Sequence, residues 1–204
     1  MDQESVFLIT GGASRFGKAV AKLLLSEGAC LTILDLRSPP DDLRRVPQSR
    51  LLYLQVDITT EKDVFNAIHA TKLKFGKLNG VINCAEIRMK SPMFNKDSLQ
   101  PLLSRTIDVN FFGSLNVIRA ALPLIKHNKR NSYGEKGIVI NTSSGLGVNG
   151  LSDFMVFSIS KAAVIALTVP LSKELEDEGI RVLDIAPGFR QLFKNFLKIQ
   201  FLLY

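Results

Sequence analysis

Two cysteines and two histidines are all that 204 residues provide of the usual soft metal and redox ligands. His69 and His127 stand alone, with no second ligand at metal-binding spacing, so no metal site is expected. Cys30 and Cys84 fall in apolar, strand-like stretches and read as buried free thiols of a reducing compartment rather than as a disulfide. No apolar run approaches the ~20 residues that would span a bilayer, so no integral membrane segment is expected. The opening MDQESVFLIT sets acids before a short apolar run, the pattern of neither a secretory signal nor an Arg-rich transit peptide. Internal repeats and low-complexity linkers are missing too, and composition holds steady up to residue 188.

What remains is an ordinary globular balance of 46% hydrophobic and 22% charged residues in a chain long enough for one substantial domain. The net charge of +7 and pI near 9.5 suit nucleic acid, anionic lipid or simple solubility, and do not choose among them. The densest basic cluster, KHNKR at 126–130, follows a helical pattern and reads as a solvated loop.

Short, continuously apolar runs alternate with helical patterns. SVFLIT (5–10) leads to a helix over 15–27, CLTILD (30–35) follows, and LLYLQV (51–56) precedes the helix EKDVFNAIHATKLKF, capped by Thr59 or Thr60. NGVIN (79–83) opens a loop and a long helical stretch over 97–127. GIVINT (137–142), a helix over 155–178 and RVLDIA (181–186) complete the series. The pattern predicts an α/β fold: a doubly wound parallel sheet of about six strands with helices on both faces. Ligands of such sheets bind beyond the carboxyl ends of the strands, where the winding reverses.

Those strand ends carry the chemistry. TGGASRFGKA (10–19) is a glycine-rich turn opening a helix, where backbone N–H groups and the helix dipole face an anion. Asp35, ending the second strand, suits an adenosine ribose and repels a 2′-phosphate, which favours NAD over NADP; a helix or turn cap is the plain alternative. Asp57 and Ile58 offer an edge and a face for adenine, and Asn83 a tie between strand ends.

Together these segments resemble the short-chain dehydrogenase/reductase family over residues 5–188. TGGASRFG is similar to its TGxxxGxG loop, NCAE to its NNAG turn, INTSS to its catalytic serine segment, DVNFFG to its helix asparagine, FSISK to its YxxxK and IAPGF to its PG turn. The resemblance implies a Rossmann-like domain over 1–188 and an NAD-dependent oxidoreductase of 3-hydroxyacyl-CoA or hydroxysteroid substrates, with a role in fatty acid metabolism. It implies cofactor contacts from Gly11, Ser14, Arg15, Phe16, Gly17, Asp35, Asp57, Ile58, Asn83, Ala85, Lys161, Pro187 and Gly188. Catalytic roles would fall on Ser144, Lys161 and Asn110, with Phe157 standing at the family's tyrosine position. It also implies a mitochondrial location (cytoplasmic as alternative), a homodimer through the long helices, and tRNA-processing partners as a non-catalytic alternative.

Three departures gather at the ligand. Phe157 has no hydroxyl to exchange a proton, a loss worth ~10²–10⁴-fold in rate. Arg15 replaces a glycine beside the pyrophosphate and is expected to obstruct it, or else to attract its phosphates. Glu86 brings bulk and negative charge to a glycine position, so NAD binding is expected to be weakened. Tyr133 lies in a loop and offers no replacement phenol. The tail FRQLFKNFLKIQFLLY (189–204) matches no family segment, so the seventh strand that the resemblance implies is expected to be missing. Its apolar residues follow helical spacing with Arg190, Lys194 and Lys198 opposite, so it reads as a basic amphipathic helix that packs on its own sheet. Membrane docking, or a product of altered splicing or reading frame without a stable role, are the alternatives.

Overall fold

The computed structural model describes residues 5–91 and 99–188, together with the backbone of residues 201–202. Its elements are β1 (Val6–Thr10), α1 (Arg15–Ser26), β2 (Cys30–Asp35), α2 (Asp41–Arg44), β3 (Leu51–Gln55), α3 (Glu61–Phe75) and β4 (Gly80–Asn83). There follow α4 (Leu99–Ile107), a π-helical segment (Asp108–Gly113), α5 (Ser114–Lys126), β5 (Gly137–Thr142), α6 (Leu146–Asn149), α7 (Met155–Leu175), β6 (Ile180–Ile185) and β7 (Phe201–Leu202).

The sheet runs in the order β3-β2-β1-β4-β5-β6-β7, parallel from β3 through β6. Its strands are apolar without alternation because both faces are covered. Leu8, Val81, Val139 and Val182 point to one face, where α3, α5 and α7 supply Val64, Ile68, Val117, Ile118, Ile125 and Leu171. Their neighbours Ile9, Ile33 and Ile82 point to the other and pack on Ala21 and Leu24 of α1 and Leu43 of α2. The winding reverses between β1 and β4, which places the crevice between the end of β1 and the end of β4.

The six parallel strands follow the sequence pattern, and the missing seventh needs correction. A two-residue antiparallel ladder, Ile185 opposite Phe201 and Asp184 opposite Leu202, extends the sheet beyond β6. The tail's apolar run allows that pairing because an edge strand offers free backbone groups to any extended segment. The amphipathic reading of 189–200 lies outside the described residues, as do the first residues of the stretch expected over 97–127.

Several local expectations also change. The long helix is interrupted by the π-helical turn at Asp108–Gly113, and this turn carries Asn110. Thr60 occupies the N-cap of α3 without a side-chain cap bond; instead Asp57 accepts from the N–H and hydroxyl of Thr59 at 2.9 and 2.7 Å. Finally, α7 is long and apolar enough to span a membrane by length and composition, because Lys161 and its hydroxyl residues interrupt the run so little. Here its inner side is packed against the sheet, with Val164, Thr168 and Leu175 buried. Both cysteines are free; Cys84 is buried and Cys30 half-buried. The KHNKR cluster is only partly a solvated loop, since Arg130 donates to the carbonyls of Gly134 and Asp177 at 2.6 and 2.8 Å.

Candidate active site

The glycine-rich turn is shaped by what cannot fit there. Gly11 has φ +67°, and a Cβ on it would stand 2.7 Å from the Ala85 Cα, so β1 and β4 touch backbone to backbone. A Cβ on Gly17 would collide with the Gly11 carbonyl. Ser14 caps α1, its hydroxyl accepting from the Gly17 N–H at 3.1 Å. Thr10, buried at the end of β1, accepts from the N–H groups of Cys84 and Ala85 at 3.1 and 3.0 Å. The helix N-terminus thus faces the crevice at a fixed distance from the β4 end.

Two cavities open on this crevice. The larger, about 840 Å³, is lined by Gly11, Ser14, Arg15, Asp35, Asp57 and Ile58, with Ala85, Glu86, Arg37 and Arg105 also on its wall. The smaller, about 330 Å³, is lined by Ser14, Arg15, Phe16, Cys84, Glu86, Arg88, Ser143, Ser144, Phe157 and Pro187. Asp35 is held at both oxygens: Oδ2 accepts from the Ala13 N–H at 2.8 Å, Oδ1 from the Arg37 N–H at 2.9 Å and from Arg37 Nε at 3.2 Å. Arg15, the first residue of α1, is exposed at the mouth of both cavities.

Asn83 lines neither of these two cavities. Its amide donates to Asn141 Oδ1 at 3.1 Å and to the Ser114 carbonyl at 3.5 Å, tying β4 to β5 and to α5. Asn110 is buried, and its amide brackets the segment after β4. It donates to the Ile87 carbonyl at 3.1 Å and to Ser160 Oγ at 2.9 Å, and accepts from the Ile87 N–H at 2.8 Å. Pro187 and Gly188 follow β6, where the Pro187 carbonyl accepts from the Gly145 N–H at 3.1 Å.

The core of the site is Lys161, only 2% exposed. It lies one turn beyond Phe157 on α7, with its ammonium 5.5 Å from the centre of that ring. It donates to the Thr142 carbonyl at 2.7 Å, and its Nζ lies 2.6 Å from Glu86 Oε2. Ser144 Oγ accepts from the Leu146 N–H at 3.2 Å and faces the smaller cavity. Beside it, Ser143 donates from N–H and hydroxyl to the buried Asp184, whose carboxyl burial raises above its ordinary value against those hydrogen bonds. Burial likewise pushes the Cys84 thiol up to about 12. Tyr133 is 85% exposed, so no phenol from that loop reaches the site.

The structure therefore brings Ser144, Phe157 and Glu86 to one cavity wall and places Lys161 behind them, while Asn110 and Asn83 brace the walls. The Glu86–Lys161 pair, the Thr10 hydroxyl and the Ser143–Asp184 contact escaped the sequence reading. The first and last join residues far apart in the chain, and Thr10 looks like an ordinary strand residue.

A doubly wound sheet with this crevice defines a Rossmann-type protein whose strand ends and helix N-terminus are arranged for a phosphate-bearing ligand. The short chain dehydrogenase model matches residues 5–192, and the chain belongs to that family. Ipsdienol dehydrogenase of Ips pini is 40% identical over 211 residues, spanning 95% of this chain and 82% of that protein. The 3-hydroxyacyl-CoA dehydrogenase type-2 of Drosophila melanogaster is 37% identical over 193 residues, spanning 92% and 76%. Among solved structures, a 3-hydroxyacyl-CoA dehydrogenase type-2 from Mycobacterium avium superposes with a TM-score of 0.84 at 26% identity, over 94% of this chain and 78% of that one.

The family's nicotinamide dinucleotide would meet different surroundings in its two halves. The larger cavity, the close Gly11 and Gly17 turn and Asp35 suit its adenosine half. In the other half Lys161 is already paired with Glu86, and position 157 offers a hydrocarbon ring.

Proposed function

We propose that this chain is an NAD-type short-chain dehydrogenase of 3-hydroxyacyl-CoA or hydroxysteroid substrates whose turnover is strongly impaired. The carrying observation is the constellation of Ser144, Phe157 and Lys161: an orienting hydroxyl and a buried ammonium retained around a ring without a phenol. Asp35 on the wall of the larger cavity supports NAD over NADP. The names of the relatives support the 3-hydroxyacyl-CoA substrate and add ipsdienol as a further candidate. A bound nicotinamide would supply the hydride acceptor; Ser144 would orient the substrate oxygen, and no side chain at 157 would take its proton. Mitochondrial placement belongs to the same reading.

Calorimetric titration with NADH, and NADPH as control, tests the cofactor half. Saturable binding of NADH alone is expected, with NADPH preference counting against Asp35 as the selector. Phe157→Tyr tests the chemical half: about tenfold or more recovery in kcat is expected, since a positioned acid–base group is worth ~10²–10⁴-fold. No recovery in a cofactor-binding variant sinks the idea that the phenol is what is missing.

A second reading, a scaffold without catalysis in a tRNA-processing complex, is favoured by the ion pair that occupies Lys161. Co-purification with tRNA or a methyltransferase distinguishes it.

A further inference from the structure

Ser14, Arg15 and Glu86 line both cavities and so mark the neck between them. A dinucleotide on a doubly wound sheet lies across the strand ends with its pyrophosphate at a helix N-terminus. Here that terminus is the start of α1, at the neck, so one nucleoside falls in each cavity. The larger cavity receives the adenosine beside Asp35, Asp57 and Ile58, and the smaller must take the second nucleoside between Ser144 and Phe157.

Glu86 stands in the way of the second one. Its carboxylate lies 2.6 Å from Lys161 Nζ, and the Thr142 carbonyl takes another of the ammonium's hydrogens at 2.7 Å. A buried lysine without a counter-charge would recruit ligand oxygen strongly; this one is already neutralised by its own chain. The backbone on either side of this glutamate is also held. On one side the N–H groups of Cys84 and Ala85 are fixed to Thr10 at 3.1 and 3.0 Å. On the other, the N–H and carbonyl of Ile87 are bracketed by Asn110 at 2.8 and 3.1 Å. The glutamate backbone therefore has little room to withdraw from the ammonium that its side chain occupies.

We propose that Glu86, by occupying Lys161 at the neck, makes this cradle select an adenine mononucleotide over a full nicotinamide dinucleotide. The inference rests on the adenosine cradle of the proposed function and explains why turnover would fail beyond the loss of a phenol. It makes Glu86 a specificity-determining residue.

Calorimetry on the full chain with AMP, nicotinamide mononucleotide and NADH tests it. For the unmodified chain, saturable AMP binding is expected, with no nicotinamide mononucleotide binding and NADH bound about tenfold or more weakly than AMP. In Glu86→Gln the affinity for NADH should rise relative to AMP by about tenfold or more. An equal gain for both ligands would overturn the proposal, since Glu86 would then merely repel phosphates. If losing its counter-charge leaves Lys161 unable to fold, nicotinamide mononucleotide on the unmodified chain still decides: saturable binding overturns the selectivity and leaves the adenosine cradle standing. A folded chain that binds neither AMP nor NADH overturns the cradle itself and this inference with it.

Discussion

Asp184 shows how much of this site depends on single buried groups. It sits at the end of β6 at 7% exposure, accepting from the N–H of Ser143 at 3.1 Å and from its hydroxyl. Burial raises its carboxyl above the ordinary 3.8, with the Ser143 hydrogen bonds and the Lys161 charge pulling the other way. The folded chain thus binds this proton more tightly than the unfolded chain does. The stability it contributes is fully present below pH 3.8 and is lost as pH rises through the raised folded value. Asp184→Asn should flatten that decline, so urea midpoints of variant and parent should converge at the acid end and diverge above it. Parallel pH curves would mean that Asp184 does not titrate differently on folding. None of this was legible in RVLDIA, where an aspartate inside an apolar strand looks like a break in pattern rather than a partner for the serine just after β5.

Among the elements, the strands were the readable part and the π-helical turn was not. GIVINT, CLTILD and NGVIN announce buried parallel strands because both faces need apolar side chains, and composition records that need directly. DVNFFG reads as unbroken helix, because a shift in backbone pairing leaves no compositional mark. Its reason lies elsewhere: a Cβ on Gly113 would stand 2.7 Å from Ile58 Cδ1, so this turn presses against the loop after β3. The widened turn carries Asn110, whose amide holds Ile87 and Ser160 together. Asn110→Ala would strand these buried groups, and a loss of about 2–4 kcal/mol follows from leaving several hydrogen-bonding partners unmet. Urea unfolding measures it, and amide exchange should show faster opening of residues 84–87 than of β5. A stability change under about 0.5 kcal/mol would mean that the loop after β4 holds without this brace.

On the scale of the whole molecule, the described residues leave a strip of apolar surface exposed. Helix α7 buries Val156, Phe157, Ser160, Lys161, Val164 and Thr168 on its inner side. Ile159 is left 45% exposed and Val169 40% exposed, with Ala166 between them also outside. Phe112, on the π-helical turn that packs against α7, is 49% exposed. Residues at these helical spacings share a face, so the strip is continuous along the helix. A face of this kind on a rigid helix is best covered by the same face of a second copy, since two-fold pairing buries each strip once with one set of contacts. The long helices therefore lead us to expect a homodimer, and light scattering after size exclusion should give about twice the 22.6 kDa of one chain. Ile159→Glu with Val169→Lys should return it to monomer while leaving the thermal transition cooperative, because neither side chain is buried in the single chain. A parent that runs as a monomer at tens of micromolar would show that the strip is too small to hold two copies together. A dimer that survives both substitutions would place the interface on another face.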